Sequence, residues 1–219
     1  MSDVVCELLN VHKGFRGHEV ISDLSLKVYA GEIVAVTGPS GSGKTTVLNL
    51  LGLLDHPDKG EIKLFGSRAP RPGSRSARML LRLRLGYLFQ NYALIDNATV
   101  TENLKIAQTY TPGTAKEKSG SRASAMERVG LDLDPSRKVY ELSGGEQQRL
   151  AIARLILKPC QIILADEPTG SLDAVNRDHV LGLTRTLAEA GKAVIIVTHD
   201  NSVSARSDRE FSLGAASQI

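Results

Sequence analysis

Long apolar runs are missing from the 219 residues of this chain. A membrane-spanning helix needs about 20 predominantly apolar residues in succession. No stretch of the sequence comes close to that, so we expect no transmembrane helix. The first residues also lack a basic segment followed by an apolar one, which is the pattern of a secretory signal peptide. If this chain works at a membrane, we therefore expect a separate polypeptide to span it.

Cysteine is equally scarce, since only Cys6 and Cys160 occur. Both lie in apolar contexts and their spacing is not that of metal ligands, which indicates a reduced cytosolic protein. The net charge of +3 is too small to indicate a nucleic-acid partner, and internal repeats are lacking. With 42% hydrophobic residues, this length predicts one domain, or one domain with a subdomain.

What the chain does contain is a glycine-rich loop at residues 38–45, GPSGSGKT, which matches the phosphate-binding pattern G-x-x-x-x-G-K-[ST] in full. Residues 32–37 are typical of a buried strand, and residues 47–54 have a helical apolar face. Small residues let backbone N–H groups line a concavity around phosphates, and the start of the helix adds positive charge.

Lys44 is expected to reach the β- and γ-phosphates, and the Thr45 hydroxyl to bind Mg²⁺. An ordinary glycine-rich turn is the alternative interpretation. The predicted nucleotide contacts of this loop are Gly38, Pro39, Ser40, Gly41, Ser42, Gly43, Lys44, Thr45 and Thr46.

Two adjacent acids end a second apolar strand, predicted at residues 161–167. Asp166 would hold Mg²⁺ through water. Glu167 would orient or deprotonate the attacking water, and phosphoryl transfer needs little beyond such positioning and charge stabilisation. The alternative is that Asp-Glu-Pro only caps the strand and starts a turn.

Two further strands, predicted at residues 192–198 and 85–89, are followed by His199 and Gln90. Ligands of open parallel sheets lie at the carboxyl ends of the strands, which favours His199 as a γ-phosphate contact over a purely structural histidine. The neutral amide of Gln90 could touch Mg²⁺ and the attacking water, a role that the residues alone leave open.

Residues 142–149, LSGGEQQR, offer a second place to hold phosphate. Ser143, Gly144 and Gly145 form an anion nest at the start of a helix, and a stripe of Leu150, Ala153 and Leu157 should anchor that helix to its own chain. The nest could face the phosphate loop of the same chain or that of another one.

A set of motifs in this chain resembles that of the ATP-binding subunits of ABC transporters. The set comprises the phosphate loop, Gln90, residues 142–149, Asp166-Glu167, Ser171-Leu172-Asp173 and His199. The resemblance runs from about residue 5 to residue 213. It implies that Gln90 begins a mobile loop that senses Mg²⁺ and contacts the membrane partner. It also implies that Ser143 and Gly145 hold the γ-phosphate of ATP bound to the opposite subunit, and that Asp173 communicates across the dimer.

The family also implies an aromatic residue near the N-terminus that stacks on adenine. Phe15 lies where that residue is expected, with a place in the core as the alternative. Residues 165–173 look like the branch that contains macrolide exporters, lipoprotein-releasing ATPases and the cell-division ATPase, and residues 88–97 are similar to a narrower group of bacteriocin exporters.

The expected fold is α/β, a P-loop NTPase core with a mainly parallel sheet, an antiparallel β flank and an inserted helical subdomain. The core should comprise residues 1–90 and 160–219, and the helical subdomain about residues 91–159. Flank strands are predicted at residues 4–9, 24–28 and 61–65. Helices are predicted at residues 102–110, 121–129, 145–157 and 174–190, with an exposed loop at 111–120.

The function that the resemblance implies is Mg²⁺-dependent ATP hydrolysis by a head-to-tail pair of chains, driving export of a peptide, bacteriocin or drug through an integral membrane permease subunit. The chain would then lie at the cytoplasmic face of the cell membrane. A mechanical role on a membrane partner, as in the cell-division member, is the main alternative. DNA-repair and translation ATPases with this head usually carry coiled-coil inserts or tandem heads, which this chain lacks.

A run of arginines without an acid occupies residues 67–84. It is expected to be a solvated connector, with contact to anionic lipid as the alternative. The run comprises Arg68, Arg71, Arg75, Arg78, Arg82 and Arg84.

Overall fold

Two β-sheets and the helices around them form the chain in a computed structural model that describes residues 3–170 and 172–214. The strands of that part are β1 (Val4–Phe15), β2 (His18–Tyr29), β3 (Ile33–Thr37), β4 (Lys59–Leu64), β5 (Ser67–Arg68), β6 (Leu85–Leu88), β7 (Ile162–Asp166), β8 (Ala193–Val197) and β9 (Arg209–Ser212). Its helices are α1 (Lys44–Leu51), α2 (Arg75–Leu83), α3 (Val100–Ala107), α4 (Ala115–Arg128), α5 (Gly144–Leu157), α6 (Ala174–Glu189) and α7 (Asn201–Ser204), with a 3₁₀ turn at Val139–Glu141.

Five parallel strands form the central sheet, in the order β6-β7-β8-β3-β9. The runs of Val, Ile, Leu and Ala in β3, β7 and β8 are covered on both faces, as is usual for parallel strands. Side chains alternate between two cores. Ile163 and Ala165 face the core that contains α5 and α6, whereas Ile162 and Leu164 face the core that contains α1 and the second sheet.

The second sheet is antiparallel, with strand order β2-β1-β4-β5, which confirms the predicted flank. Its first two strands are longer than expected because β1 and β2 form one continuous hairpin. Arg16 and Gly17 connect them with φ angles of 50° and 83°, and two central residues with positive φ are the geometry of a type I′ turn.

Three helices, α3, α4 and α5, lie between β6 and β7 in the chain, and α5 packs against the other two. The expected loop at residues 111–120 is wrong, because α4 already begins at Ala115. Its N-cap is Thr114, whose hydroxyl accepts from the Glu117 N–H at 3.3 Å while Glu117 Oε2 accepts from the Thr114 N–H at 2.7 Å. This capping box starts a surface helix that buries only Ala125 and Met126, so it has little of the apolar stripe by which helices are recognised.

The arginine-rich run also departs from expectation, since α2 occupies much of it. The Ser74 hydroxyl caps α2 by accepting from the Ala77 N–H at 3.1 Å, and Ala77 is buried. Beyond the helix, the Arg84 guanidinium lies 3.5 Å from the centroid of the Phe65 ring. Half of the run is therefore a helix rather than a connector, while five of its six arginines are exposed, as expected for solvated side chains.

Both cysteines are free and buried, as predicted. Burial raises the pKa of the Cys6 thiol to about 12, which keeps it protonated. Among the helices of the described part, none has both the length and the apolar character needed to cross a bilayer.

Candidate functional site

Four strands of the parallel sheet end at one edge, and each is followed by residues predicted to be functional. The loop of residues 38–43 follows β3, and Gln90 follows β6. Asp166 ends β7 with Glu167 next to it, and His199 comes two residues after β8. Because the four strands run in the same direction, their carboxyl ends meet at this edge.

The glycine-rich loop curls around the amino group of Lys44. This ammonium donates to the Gly38 carbonyl at 2.7 Å and to the Pro39 carbonyl at 2.9 Å. The loop ends at Gly43, the N-cap of α1, whose φ of 92° favours glycine and whose Cβ would lie 2.9 Å from a Val20 methyl. The curled backbone thus requires a residue without a side chain directly before Lys44.

This loop fits a bound phosphate in two further respects. The Ser42 hydroxyl is buried and has no hydrogen-bond partner among the described residues, and such a group is expected to find a partner in the functional state. In addition, α1 has no acidic residue in its first turn and no side-chain cap, so the positive end of its dipole stays available for an anion.

Two adjacent carboxylates face different environments at the end of β7. Burial, and secondly the charge of Glu167, raise the pKa of the Asp166 carboxyl, while Lys44 opposes that rise. Glu167 has a φ of 45°, a left-handed conformation that is uncommon outside glycine. Its backbone is held there by an N–H bond of 2.9 Å to the Val197 carbonyl of the neighbouring strand.

Both carboxylate oxygens of Glu167 are held from the end of β8. His199 Nδ1 lies 2.6 Å from Oε1, and the Thr198 hydroxyl donates to Oε2 at 3.2 Å. The Glu167 side chain is 16% exposed and the His199 side chain 74%. The histidine therefore lies between solvent and the carboxylate, a contact that the sequence did not predict.

Gln90 is exposed and lies near the same carboxylate. A Cβ placed on Gly170 would be 3.8 Å from Gln90 Nε2 and 3.7 Å from Glu167 Cβ, so both side chains flank this glycine. The loop after Gln90 includes Tyr92 and Ala93 with φ of 61° and 46°, a second left-handed stretch at the same edge.

The oxygen donors at this edge fit a Mg²⁺ ion bound to phosphates. The Thr45 hydroxyl, the Asp166 carboxylate and the Gln90 amide are the hard ligands that this ion prefers. No cluster of three or more His, Cys, Asp or Glu side chains suited to a metal occurs within residues 3–170 and 172–214. The three donors would leave the other positions around the ion to phosphate oxygens and water.

Phe15 is not a core residue, because 48% of it is exposed at the end of β1. The Lys13 ammonium lies 5.2 Å from the centroid of its ring. The same hairpin contacts the phosphate loop, since Val20 of β2 packs against Gly43. An exposed ring on this hairpin is compatible with base stacking.

Ser143 and Gly144 are exposed at the start of α5. Glu146 Oε2 accepts from the Ser143 N–H at 2.7 Å and from its hydroxyl at 2.8 Å, and these bonds hold the pKa of the Glu146 carboxyl below its usual range. Leu150 and Ala153 are fully buried and Leu157 partly, so α5 is anchored as predicted. No hydrogen bond between described residues joins this turn to the Lys44 loop of the same chain.

Two contacts around the site were missed at the level of sequence. Thr198 holds Glu167, and the buried Gln148 donates to the Pro168 carbonyl at 2.8 Å. The sequence did contain a signal for the Gln148 contact. Gln148 lies on the same helical face as Ile152 and Leu155, where a buried polar side chain needs a partner. Asp173 caps α6, while Ser171 lies outside the described residues.

A family model described as "ABC transporter" matches residues 21–170 of the chain. This chain belongs to the ABC transporter family. It is an ABC ATP-binding domain of the ATPase class, which confirms the predicted fold class and enzyme class. This membership agrees with three features that the structure contains, namely the phosphate loop, the two adjacent acids and the Ser-Gly-Gly turn.

Among curated proteins, the pyoverdine export ATP-binding/permease protein PvdT of Pseudomonas fluorescens is 38% identical over 214 residues. The macrolide export ATP-binding/permease protein MacB of Pasteurella multocida is 40% identical over 215 residues. Each match covers 95% of this chain but 33% of the relative. The ABC domain thus spans about a third of the length of these relatives.

Among solved structures, the dimeric structure of the bacterial ABC transporter cassette MJ0796 is 33% identical, with a TM-score of 0.84. A dimeric post-hydrolysis state of the same cassette, bound to ADP and Pi, is 32% identical with a TM-score of 0.84. Both matches cover 95% of this chain and 94% of the other.

Proposed function

We propose that this ABC domain hydrolyses Mg²⁺-bound ATP at the edge of the parallel sheet. Lys44 and the backbone of residues 38–46 hold the phosphates, and Phe15 stacks on the adenine. Thr45, Asp166 and Gln90 hold the ion, which when bound neutralises phosphate charge in the transition state. The observation that carries the proposal is the Glu167 carboxylate, which is fixed at both oxygens at the end of β7, with β8 between that strand and the strand of the phosphate loop.

Glu167 acts on the attacking water in this proposal. One carboxylate oxygen orients the water and accepts its proton as the water oxygen bonds to the γ-phosphorus and the bond from that phosphorus to the departing oxygen of ADP breaks. His199 holds the carboxylate through Nδ1, and its exposed ring is placed for contact with the γ-phosphate. Gln90, whose side chain also lies beside Gly170, positions the water and the ion.

Two copies of the chain are needed for a closed site. The Ser143 turn is exposed and has no hydrogen bond to the Lys44 loop of its own chain, which favours a role on another copy. A head-to-tail pair places Ser143, Gly144 and Gly145 of one copy on the ATP held by the other, in a closed two-fold arrangement. The dimeric form of the related cassette supports this assembly.

We expect the membrane partner, an integral permease subunit, to dock beside the Gln90 loop. A groove of about 340 Å³ lies there between α2, α3 and α5. Its apolar lining includes Phe89, Ile106 and Tyr110, and its cations are Arg82, Arg154 and Lys158.

None of these three cations forms an ion pair with a carboxylate in the described part of the chain. Arg154 and Lys158 instead donate to the backbone carbonyls of Ala93 and Leu81, and burial lowers the pKa of both. An apolar segment of the permease that brings a carboxylate fits this groove.

The wider function that follows is ATP-driven export at the cytoplasmic face of the cell membrane, with no nucleic-acid partner. Both of these relatives are named as export proteins, which favours export over a purely mechanical role. A peptide, bacteriocin or drug is the proposed class of cargo.

The catalytic assignment is tested by Glu167→Gln. The amide keeps the shape of the side chain but cannot accept the proton, so we expect turnover to fall by about a hundredfold or more while ATP stays bound and dimer accumulates. Release of phosphate and sedimentation velocity measure the two effects. Hydrolysis at the normal rate would rule out Glu167 as the base.

The docking groove is tested with a photo-crosslinking amino acid at Ile106 in cells, followed by mass spectrometry of the linked peptide. The expected product is a cytoplasmic segment of an integral membrane protein that contains Asp or Glu. Lys158→Glu should abolish this product by charge repulsion, whereas Lys116→Glu on exposed α4 should not. A product formed only with soluble proteins, or one indifferent to Lys158→Glu, contradicts the assignment.

A further inference from the structure

The helix that begins at the Ser143 turn is tied to the segment that carries Glu167. Gln148, one turn into α5, is fully buried and its Nε2 donates to the Pro168 carbonyl at 2.8 Å. Pro168 directly follows Glu167 in the chain. The other side-chain atom, Oε1, is buried without a partner among the described residues. The one hydrogen bond that this buried amide makes to another described residue therefore goes to the segment that carries Glu167.

A second amide joins the next residue of α5 to the start of α6. Arg149 Nη1 donates to Asn176 Oδ1 at 3.0 Å, and Asn176 Nδ2 donates to Asp173 Oδ2 at 2.7 Å. The two ends of the Asn176 amide thus serve different elements. Neither an aspartate, which lacks the donor, nor a leucine can replace both contacts.

Asn176 also packs against the Ser-Gly-Gly turn itself. A Cβ on Gly145 would lie 2.6 Å from Asn176 Oδ1, which is well inside van der Waals contact. The φ of Gly145 is not in the left-handed region, so its backbone does not demand glycine. The space taken by the Asn176 amide is what excludes a side chain at this position.

We propose that Asn176 is a positioning residue that, together with Gln148, joins Pro168 (next to Glu167) and Asp173 to the Ser143 turn of the same chain. The carboxylate that acts on a chain's own ATP and the turn that it presents to the other copy's ATP then move as one unit. When the conformation of the segment that carries Glu167 changes after hydrolysis, the Ser143 turn shifts with it. This shift alters the contact of the turn with the nucleotide bound to the other copy. This inference rests on the proposed function, in which the Ser143 turn of one copy meets the ATP of the other.

The test uses the full chain in the Glu167→Gln background, so that ATP stays intact. Asn176→Ala should weaken ATP-driven dimerisation by about tenfold or more, equivalent to about 1.4 kcal/mol. Binding of a fluorescent ATP analogue by the monomer should stay within about twofold, and the Tm within about 2 °C. Glu189→Ala, an exposed position of the same helix, is the matched control and should dimerise normally. Sedimentation equilibrium gives the dimerisation constants.

A double-mutant cycle separates a bridge from two unrelated effects. If Arg149 and Asn176 act through their contact, the double variant Arg149→Ala/Asn176→Ala should form a dimer at least as tight as that of the more impaired single variant. If the double variant instead loses dimerisation by the product of the two single-variant factors, the inference is overturned. It is also overturned if Asn176→Ala dimerises as well as Glu189→Ala. Failure of the Glu167→Gln parent to dimerise with ATP would instead overturn the two-copy function itself.

Discussion

Three consecutive residues at the end of β7 have three different environments. Ala165 is fully buried in the sheet, Asp166 is half-buried beside Lys44, and Glu167 turns towards His199 at the edge. The left-handed φ of Glu167 makes this change of direction possible, and conformations of that kind occur where a site over-determines the backbone. Adjacent acids can therefore serve a metal and a water, respectively.

Asp166 is expected to weaken the nucleotide-free fold at neutral pH. Its pKa is raised in the folded chain, so the ionised form costs folding free energy. This cost is absent below the pKa of the unfolded chain and complete above the raised pKa. Asp166→Asn should therefore raise the Tm at pH 7 by about 2 °C or more, and the gain should shrink as the pH falls towards about 4.

Thermal unfolding of the nucleotide-free chain across this pH range measures the effect. Asp132→Asn replaces an exposed aspartate without an ion pair in the described part of the chain, and it should leave the Tm unchanged at each pH. A lower Tm for Asp166→Asn, or a gain independent of pH, contradicts the electrostatic explanation.

At the scale of elements, two helical segments that the sequence did not predict, α2 and the first turns of α4, are defined by their caps rather than by an apolar face. α2 buries Ala77 alone, and α4 buries Ala125 and Met126. Both start at a hydroxyl N-cap, Ser74 and Thr114. Helices of this kind depend on satisfied terminal N–H groups more than on core packing.

Thr114→Ala should destabilise the chain by about 1 kcal/mol, because it removes the hydroxyl of the α4 capping box. For a domain of this size the Tm should fall by about 2–4 °C. Ser119→Ala, at an exposed position inside the same helix, should not lower the Tm, since alanine is the better helix former. Equal Tm values for the two variants would show that the capping box does not stabilise α4.

At the scale of the whole molecule, the phosphate loop and the Ser143 turn belong to different parts of the fold. The loop is supported by β3 and α1, and the turn by α5 with its neighbours Tyr92 and Asn176. In the proposed two-copy site, a nucleotide held between them would couple two copies and so link ATP binding to assembly by mass action.

Ser143→Arg should block that assembly. In the Glu167→Gln background the arginine adds bulk and removes the capping hydroxyl at the predicted contact, so ATP-driven dimer should fall by about tenfold or more. Monomers should still bind ATP, because Lys44 and its loop are untouched. Ser119→Arg, the same change on exposed α4, serves as the control. Sedimentation velocity decides the matter, and undiminished dimer for Ser143→Arg would refute the two-copy site.

Local sequence patterns are enough to identify the groups that meet at the sheet edge of this ABC domain. The phosphate loop, Asp166, Glu167 and His199 each follow an apolar run that could be recognised as a strand, and parallel strands end at one edge. Local pattern and the rules of parallel sheets are therefore enough to predict that these groups lie at one edge.

The contacts that hold those groups, in contrast, depend on tertiary packing. The contacts of Glu167 with His199, of Gln148 with Pro168 and of Asn176 with Arg149 join residues that are 32, 20 and 27 positions apart. Such contacts depend on the packing of α5 and α6 against the sheet and on a single left-handed residue, and no local pattern encodes them. The physical reason is that a hydrogen bond forms only when two groups meet within about 3 Å, a condition set by the whole fold.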